Sequence, residues 1–271
     1  MDRRGQKTAP FVWERLSWDT AFFGVSSARL TLEEPLSEKR LSEALAQARG
    51  YAFVCIRNRG CDAQNAKGIA RLTDAFVVDT NIQFEKRIAS ACMGETDALL
   101  PARDCCPPDA GVLDIASATF QVSRFLADEA LKARNGALVY YEWVKNAFAQ
   151  PGKYFLICRA PDGAARDTAS QTGGFALFSV ENECLTLELI GVSERYQRCG
   201  IGETLWRGLE SEAVSRHCTA IHVGTQLANG NALRFYTKMG CIPREATQIY
   251  HWWRAAPERP CEMDTTIDCE R

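Results

Sequence analysis

This chain lacks any apolar run long enough to cross a bilayer; stretches such as Tyr51 to Ile56 and Phe175 to Val180 are only strand-length. It lacks an excess of either charge. Its 32 Lys and Arg against 34 Asp and Glu leave a formal net charge of -2, with no basic footprint for nucleic acid and no charged tail. Histidine is scarce: His217, His222 and His251 share no metal-ligand spacing, so no metal is expected. The 12 cysteines form no C-x-x-C pair. Their spacing is irregular, with Cys105 and Cys106 adjacent, which suits neither a disulfide framework nor a zinc knuckle, so reduced structural thiols are expected. The opening residues, Met1-Asp-Arg-Arg-Gly-Gln-Lys, carry no apolar signal core, and a cytoplasmic, membrane-free protein is expected.

What is present is alternating α/β patterning over 271 residues. Val25–Leu32 reads as a strand, and Leu41, Ala44, Leu45 and Ala48 recur at helical spacing within Ser37–Arg49. Tyr51–Arg57 reads as a buried strand, Asp62–Leu72 as a helix, and Phe76–Asp79 and Ile82–Ile88 as strands around Thr80-Asn81. Residues 90–111, with Pro101, Pro107, Pro108, Gly94 and Gly111, read as a linker. Helices are expected over Ser117–Ala133 and Ala137–Ala149, then strands at Tyr154–Arg159 and Gly174–Val180 around a polar loop with Pro161-Asp162-Gly163. In the strand Cys184–Val192, alternation puts Leu185, Leu187 and Leu189 on one face and Thr186, Glu188, Ile190 and Val192 on the other. A strand at Ile221–Gln226, a helix from Gly230 to Met239 and a strand at Thr247–Arg254 complete the pattern. The expected division is an αβ half-domain over 1–89, the linker, a second domain over 112–256 and a tail over 257–271.

The strand at Cys184–Val192 leads into Gln197-x-x-Gly200-x-Gly202 and then a helix with Ile201, Leu205, Leu209 and Ala213 four apart. A glycine-bearing loop opening a helix gathers unpaired N–H groups at the positive end of the helix dipole, which suits phosphate oxygens. A dinucleotide loop would need one more glycine, and a P-loop would need Gly-Lys-Ser/Thr.

Downstream lies Asn229-Gly-Asn-Ala232-Leu-Arg-Phe235-Tyr236-Thr-Lys-Met-Gly240. Together, in this order, the two segments resemble the signatures of the GCN5-related N-acetyltransferase (GNAT) superfamily. The resemblance implies an α/β (α+β type) fold, with a mixed, mostly antiparallel sheet and helices on both faces, preceded here by a smaller GNAT-like αβ half-domain. It implies acetyl-CoA as co-substrate. The amides of Gln197, Arg198, Cys199, Gly200, Ile201 and Gly202 would hold the pyrophosphate. The main chain of Leu189, Ile190, Gly191 and Val192 would pair with the pantetheine arm, which Asn229 would also contact. The Val192 amide would polarise the thioester carbonyl, and Tyr236 would protonate the leaving thiolate. A core role remains the alternative for Tyr236. Cys199 reads as loop filler, with an acyl-cysteine route as the alternative.

The acceptor side carries a second resemblance. Leu16-Ser-Trp18-Asp-Thr-Ala-Phe22-Phe23-Gly24-Val25, Ser123-Arg124-Phe125, Tyr140-x-x-Trp143-x-x-Asn146-Ala147, Thr225-Gln226, Tyr250 and Arg254 are similar to the dTDP-fucosamine acetyltransferase family. That family implies a nucleotide-linked amino-deoxy sugar as acceptor, in cell-surface polysaccharide precursor synthesis. The chain departs from it in the form of its glycine loop, a longer loop at 160–173 and an extra tail. Candidate acceptor contacts are Phe22, Phe23, Tyr140, Trp143 and Gln226, with Arg124 for a diphosphate. Asp79 and Glu188 are the candidate bases, each equally readable as a satisfied strand acid. Another amine acceptor (a protein N-terminus, an amino acid, an antibiotic) and a non-catalytic acyl-CoA sensor stay open, as does a homodimer.

Overall fold

The computed structural model describes residues 9–88, 103–104, 107–160 and 172–254, with backbone only at 103–104. Most of the expected linker, the loop around Pro161-Asp162-Gly163 and the expected tail lie outside the described residues. The strands are β1 (Phe11–Arg15), β2 (Ser27–Leu32), β3 (Phe53–Arg59), β4 (Phe76–Arg87), β5 (Arg103–Asp104), β6 (Lys153–Arg159), β7 (Thr172–Glu181), β8 (Cys184–Val192), β9 (Ala220–Gln226) and β10 (Ile242–Trp253). The helices are α1 (Ser17–Phe23), α2 (Glu38–Ala46), α3 (Ala63–Leu72), α4 (Ala110–Thr119), α5 (Arg124–Ala127), α6 (Glu129–Lys132), α7 (Val139–Ala147), α8 (Ile201–Ser215) and α9 (Gly230–Lys238).

Among the described residues one sheet runs β1-β2-β3-β10-β4-β9-β8-β7-β6-β5. Pairing is antiparallel except at β2–β3 and β8–β9, each bridged by a crossover helix, α2 and α8. The last strand of each half sits in the other half. β4 follows α3 but lies against β9, while β10 follows α9 but lies against β3. The sheet is therefore continuous across both expected half-domains.

Helices cover both faces of the second half. On one, α8 buries Ile201, Leu205, Trp206 and Leu209 against Ala176, Phe178, Leu185 and Leu187. Each Leu, Ile or Phe among them contributes about 1.5–3 kcal/mol of transfer free energy. On the other, α4 and α7 cover Phe155, Ile157, Phe175 and Leu177. In the first half α2 and α3 cover Leu30, Leu32, Val54 and Ile56.

Three expectations are corrected. Thr80-Asn81 is no turn: β4 runs straight through it, held by β10 on one edge and β9 on the other. The stretch Ser117–Ala133 is no single helix. Its first three residues close α4, which starts at Ala110 inside the expected linker and ends at Thr119. The rest is restarted twice, where Ser123 accepts the Phe125 N–H and Asp128 accepts those of Ala130 and Leu131. Leu189 does not share a face with Leu185 and Leu187. The β7–β8 register slips between Leu177 and Phe178, leaving Glu188 as an extra residue and reversing the alternation beyond it. Leu189 then packs under α4, while Ile190 and Val192 join the α8 side. Finally, β1 and the short α1 were not foreseen.

Candidate active site

The bulge at Glu188 coincides with the opening of the sheet. β8 and β9 pair from Cys184↔Ala220 to Leu187↔Val223 and then part. Ser193 N–H donates to the Gly173 carbonyl at 2.9 Å, which sets the phase of the β7–β8 ladder. In an antiparallel ladder only alternate residues bond across. Leu189 and Gly191 thus face β7, and Ile190 and Val192 turn their main-chain polar groups toward the gap. Gly191 serves packing: a Cβ there would lie 2.9 Å from Ile115 Cγ2.

The glycine loop closes one end of this gap. Gly200 is the N-cap of α8 at φ 84°, a left-handed conformation, and no side chain caps the helix. Arg198 is also left-handed, at φ 66°. Among the described residues the N–H groups of Arg198, Cys199 and Gly200 find no backbone acceptor, and the first turn of α8 has none by geometry. The result is a concavity of free donors at a helix start. Gly202 lets the helix approach Phe235, whose Cε2 would lie 3.4 Å from an added Cβ. Cys199 is exposed, and its thiol turns back to the Gln197 carbonyl.

Gap and loop belong to one cleft of about 1130 Å³ that continues into the first half of the chain. Leu189, Ile190, Val192, Gln197, Arg198, Gly200, Ile201, Gly202, Asn229 and Tyr236 line it; Gly191 and Cys199 do not. Asn229 caps α9, its Oδ1 accepting the Ala232 N–H at 3.1 Å, which leaves its amide N–H groups to the cleft. Tyr236 is 5% exposed, its ring against Phe84 and Trp206. Burial, with Cys241 adding to it, raises its pKa far above the ordinary phenol value. It is both a core residue and a cleft residue, and its hydroxyl stays protonated at neutral pH.

Asp79, Arg124, Tyr140, Trp143 and Gln226 line the far end. Burial raises the Tyr140 phenol above its ordinary pKa, against the opposing pull of Ser123, Arg124 and Gln226. Burial lifts the Asp79 carboxyl above the ordinary value, against the opposing pull of the Thr80 amide and Arg124. Arg124 donates to His251 Nε2 at 3.2 Å, and His251 Nδ1 lies 2.6 Å from Asp128 Oδ2. A guanidinium only donates, so Nε2 accepts and the ring proton sits on Nδ1. Burial and Arg124 push the His251 pKa down to about 4 against Asp128, so the ring is neutral.

Glu188 also lines the cleft, but Lys153 forms an ion pair with it and Ser179 donates to the same oxygen at 2.8 Å. Phe22 and Phe23 do not line the cleft: Phe22 stacks on Trp18, and Phe23, 4% exposed, packs on Phe125. Sequence reasoning missed Arg29 and Arg57 in the cleft wall. The signal was available in the alternation Ala28-Arg29-Leu30-Thr31-Leu32, which sends Arg29 to the face opposite the leucines.

The free donors of the loop and the unpaired edge of β8 fit a phosphorylated, extended ligand, and acetyl-CoA is of that shape. Among the described residues no group of three or more His, Cys, Asp or Glu is placed to hold a metal ion, and no helix is long and apolar enough to cross a membrane.

Comparison with known proteins agrees with this geometry. Residues 119–241 match the family model described as acetyltransferase (GNAT) family. The dTDP-fucosamine acetyltransferase of Escherichia coli O6:H1 is 29% identical over 232 residues, 84% of this chain and 92% of that protein. The spore coat polysaccharide biosynthesis protein SpsD of Bacillus subtilis is 24% identical over 151 residues, so the match spans 54% of this chain and half, 50%, of that relative. A GCN5-related N-acetyltransferase from Sphaerobacter thermophilus superposes with a TM-score of 0.56 at 11% identity, covering 90% of this chain and 77% of that one. A tandem GNAT protein from the clavulanic acid biosynthesis pathway gives 0.53 at 10% identity, covering 84% and 75%. These structures establish the fold, and GNAT acetyltransferases use acetyl-CoA.

Proposed function

We propose that the chain is an N-acetyltransferase of the GNAT superfamily that acetylates the amine of a nucleotide-linked amino-deoxy sugar, with dTDP as the nucleotide. The setting would be cell-surface polysaccharide precursor synthesis in the cytoplasm. The observation that carries the reading is the single cleft. Its donor end is built of free amides, and its acceptor end of an acid, an arginine and a buried tyrosine. The similarity to a dTDP-fucosamine acetyltransferase over most of both chains supports the same acceptor class.

Acetyl-CoA supplies the acetyl thioester. In this reading the amides of residues 197–202 hold its pyrophosphate, and the main chain of Ile190 and Val192, with the Asn229 amide, holds the pantetheine arm. The Val192 N–H stabilises charge on the carbonyl oxygen. Asp79 accepts the proton of the sugar ammonium, directly or through water, and the amine attacks in a ternary complex. Tyr236 gives its proton to the sulfur as the C–S bond breaks. Tyr140 and Gln226 orient the acceptor.

The test is thiol release from acetyl-CoA with dTDP-4-amino-4,6-dideoxygalactose set against peptides, free amino acids and aminoglycosides. Turnover with the nucleotide amino sugar is expected. Turnover with one of the other amines and none with nucleotide amino sugars would overturn the reading.

A further inference from the structure

A cluster of arginines on the first half of the chain has no role in the acetyl-donor site. Arg29 on β2 and Arg57 on β3 share a face, because the β2–β3 register sets Arg29 beside Cys55 and Thr31 beside Arg57. That face is opposite the one covered by α2 and α3. Arg124, at the start of α5, reaches the same region, its guanidinium 3.8 Å from Cys55 Sγ. All three line the cleft.

Their charge is poorly answered from within. Among the described residues neither Arg57 nor Arg124 forms an ion pair. Burial, then the neighbouring charges of Arg29, Arg124 and Arg59, pull the Arg57 pKa below its ordinary value. Arg29 meets Glu14 at 3.0 Å through Nη1, while its Nε is buried without a hydrogen-bond partner. Arg59 is spoken for by Glu33 and Glu245. Asp19 and Asp79 face the cluster, yet burial holds both carboxyls above their ordinary value, which weakens them as counter-charges. Arg124 is fixed from behind by the neutral His251, itself held by Asp128. Like charges gathered in a half-buried wall persist where an anion completes them.

We propose that Arg29, Arg57 and Arg124 form an anion site that takes the diphosphate of a nucleotide-linked acceptor. This rests on the function proposed above and extends it to residues with no part in acetyl-CoA binding. A diphosphate offers two negative charges and several acceptor oxygens in a row. It suits guanidinium forks converging from two strands and a helix better than a single carboxylate, which one fork would satisfy.

The experiment measures binding of dTDP to the full chain by calorimetry, with CoA in excess to fill the glycine loop. Binding of dTDP but not thymidine is expected. Arg57→Gln and Arg29→Gln should each weaken it about tenfold to a hundredfold, with CoA affinity unchanged. Arg57→Lys, which keeps the charge and loses the fork, covers the case in which Arg57→Gln does not fold. Should dTDP fail to bind, or bind equally well to the Gln and Lys variants, the site is overturned. The two proposals fail separately. Arginine-dependent dTDP binding without turnover of any nucleotide amino sugar would retain this site and remove the function. Turnover with an unchanged KM in Arg57→Gln would do the reverse.

Discussion

The sheet contains the same device twice, a parallel strand pair joined by a crossover helix, and the two copies do opposite things. In β2–α2–β3 the strands stay paired from Ser27↔Phe53 to Leu32↔Asn58, and Ser37 Oγ accepts the Arg40 N–H at the start of α2. In β8–α8–β9 the strands part after Leu187↔Val223, and α8 starts at a left-handed glycine with no side chain on its amides. Topology alone therefore does not make a ligand site. A one-residue bulge frees a strand edge, and an uncapped helix start frees a set of donors. The closed copy still contributes, because its outer face carries Arg29 and Arg57, and the exchange of β4 and β10 brings Asp79 beside the open copy.

The largest effect should come from Tyr236, at the open copy. Tyr236→Phe keeps the ring against Phe84 and Trp206 and removes only the hydroxyl proposed as proton donor. A fall in kcat of about a hundredfold or more is expected, with the KM for acetyl-CoA nearly unchanged. An unchanged kcat in steady-state assays would return Tyr236 to a purely packing role.

Next is the contrast between the two acids. Asp79→Asn should lower kcat/KM about tenfold to a hundredfold. In the proposed role its working form is the carboxylate, and its pKa is raised by burial, so wild-type kcat/KM should decline as pH falls, with a midpoint above 3.8, and the Asn variant should lose that limb. Glu188→Gln should cost less activity and act mainly by releasing Lys153 and Ser179. A larger loss in Glu188→Gln, with the acidic limb abolished, would exchange the roles of the two residues. The comparison would then place base and donor site in the same half.

A third effect tests the glycine. At φ 84° an added Cβ meets no neighbour, so Gly200→Ala isolates the backbone cost, about 1–2 kcal/mol. CoA affinity by calorimetry should fall about tenfold, with kcat at saturation little altered.

The open copy was readable in the sequence because its signals are local. Gln197-x-x-Gly200-x-Gly202 and Asn229 to Tyr236 each lie within a few turns of chain, and the cleft contains most of both. The acceptor side was read only in part, because its wall depends on distant pairings. Nothing near Arg57 announces that β10 will lie between β3 and β4. The bulge at Glu188 inverted a face assignment that strict alternation had made for Leu189. Phe22 and Phe23 are conspicuous in sequence, yet their aromatic neighbours Trp18 and Phe125 draw them into packing.

The smallest effect completes the contrast from the closed copy. The Ser37 cap is exposed and long, at 3.4 Å, so Ser37→Ala should cost no more than about 0.5–1 kcal/mol in unfolding experiments. It frees amides at the start of α2, the state found at α8, where the proposed phosphate cradle lies. Yet β2 and β3 remain fully paired beside it, and no extended ligand has an edge to lie against. CoA stoichiometry should therefore stay at one per chain. A second CoA bound by the Ser37→Ala variant would mean that helix capping alone, rather than capping together with the parted strands, separates the two copies.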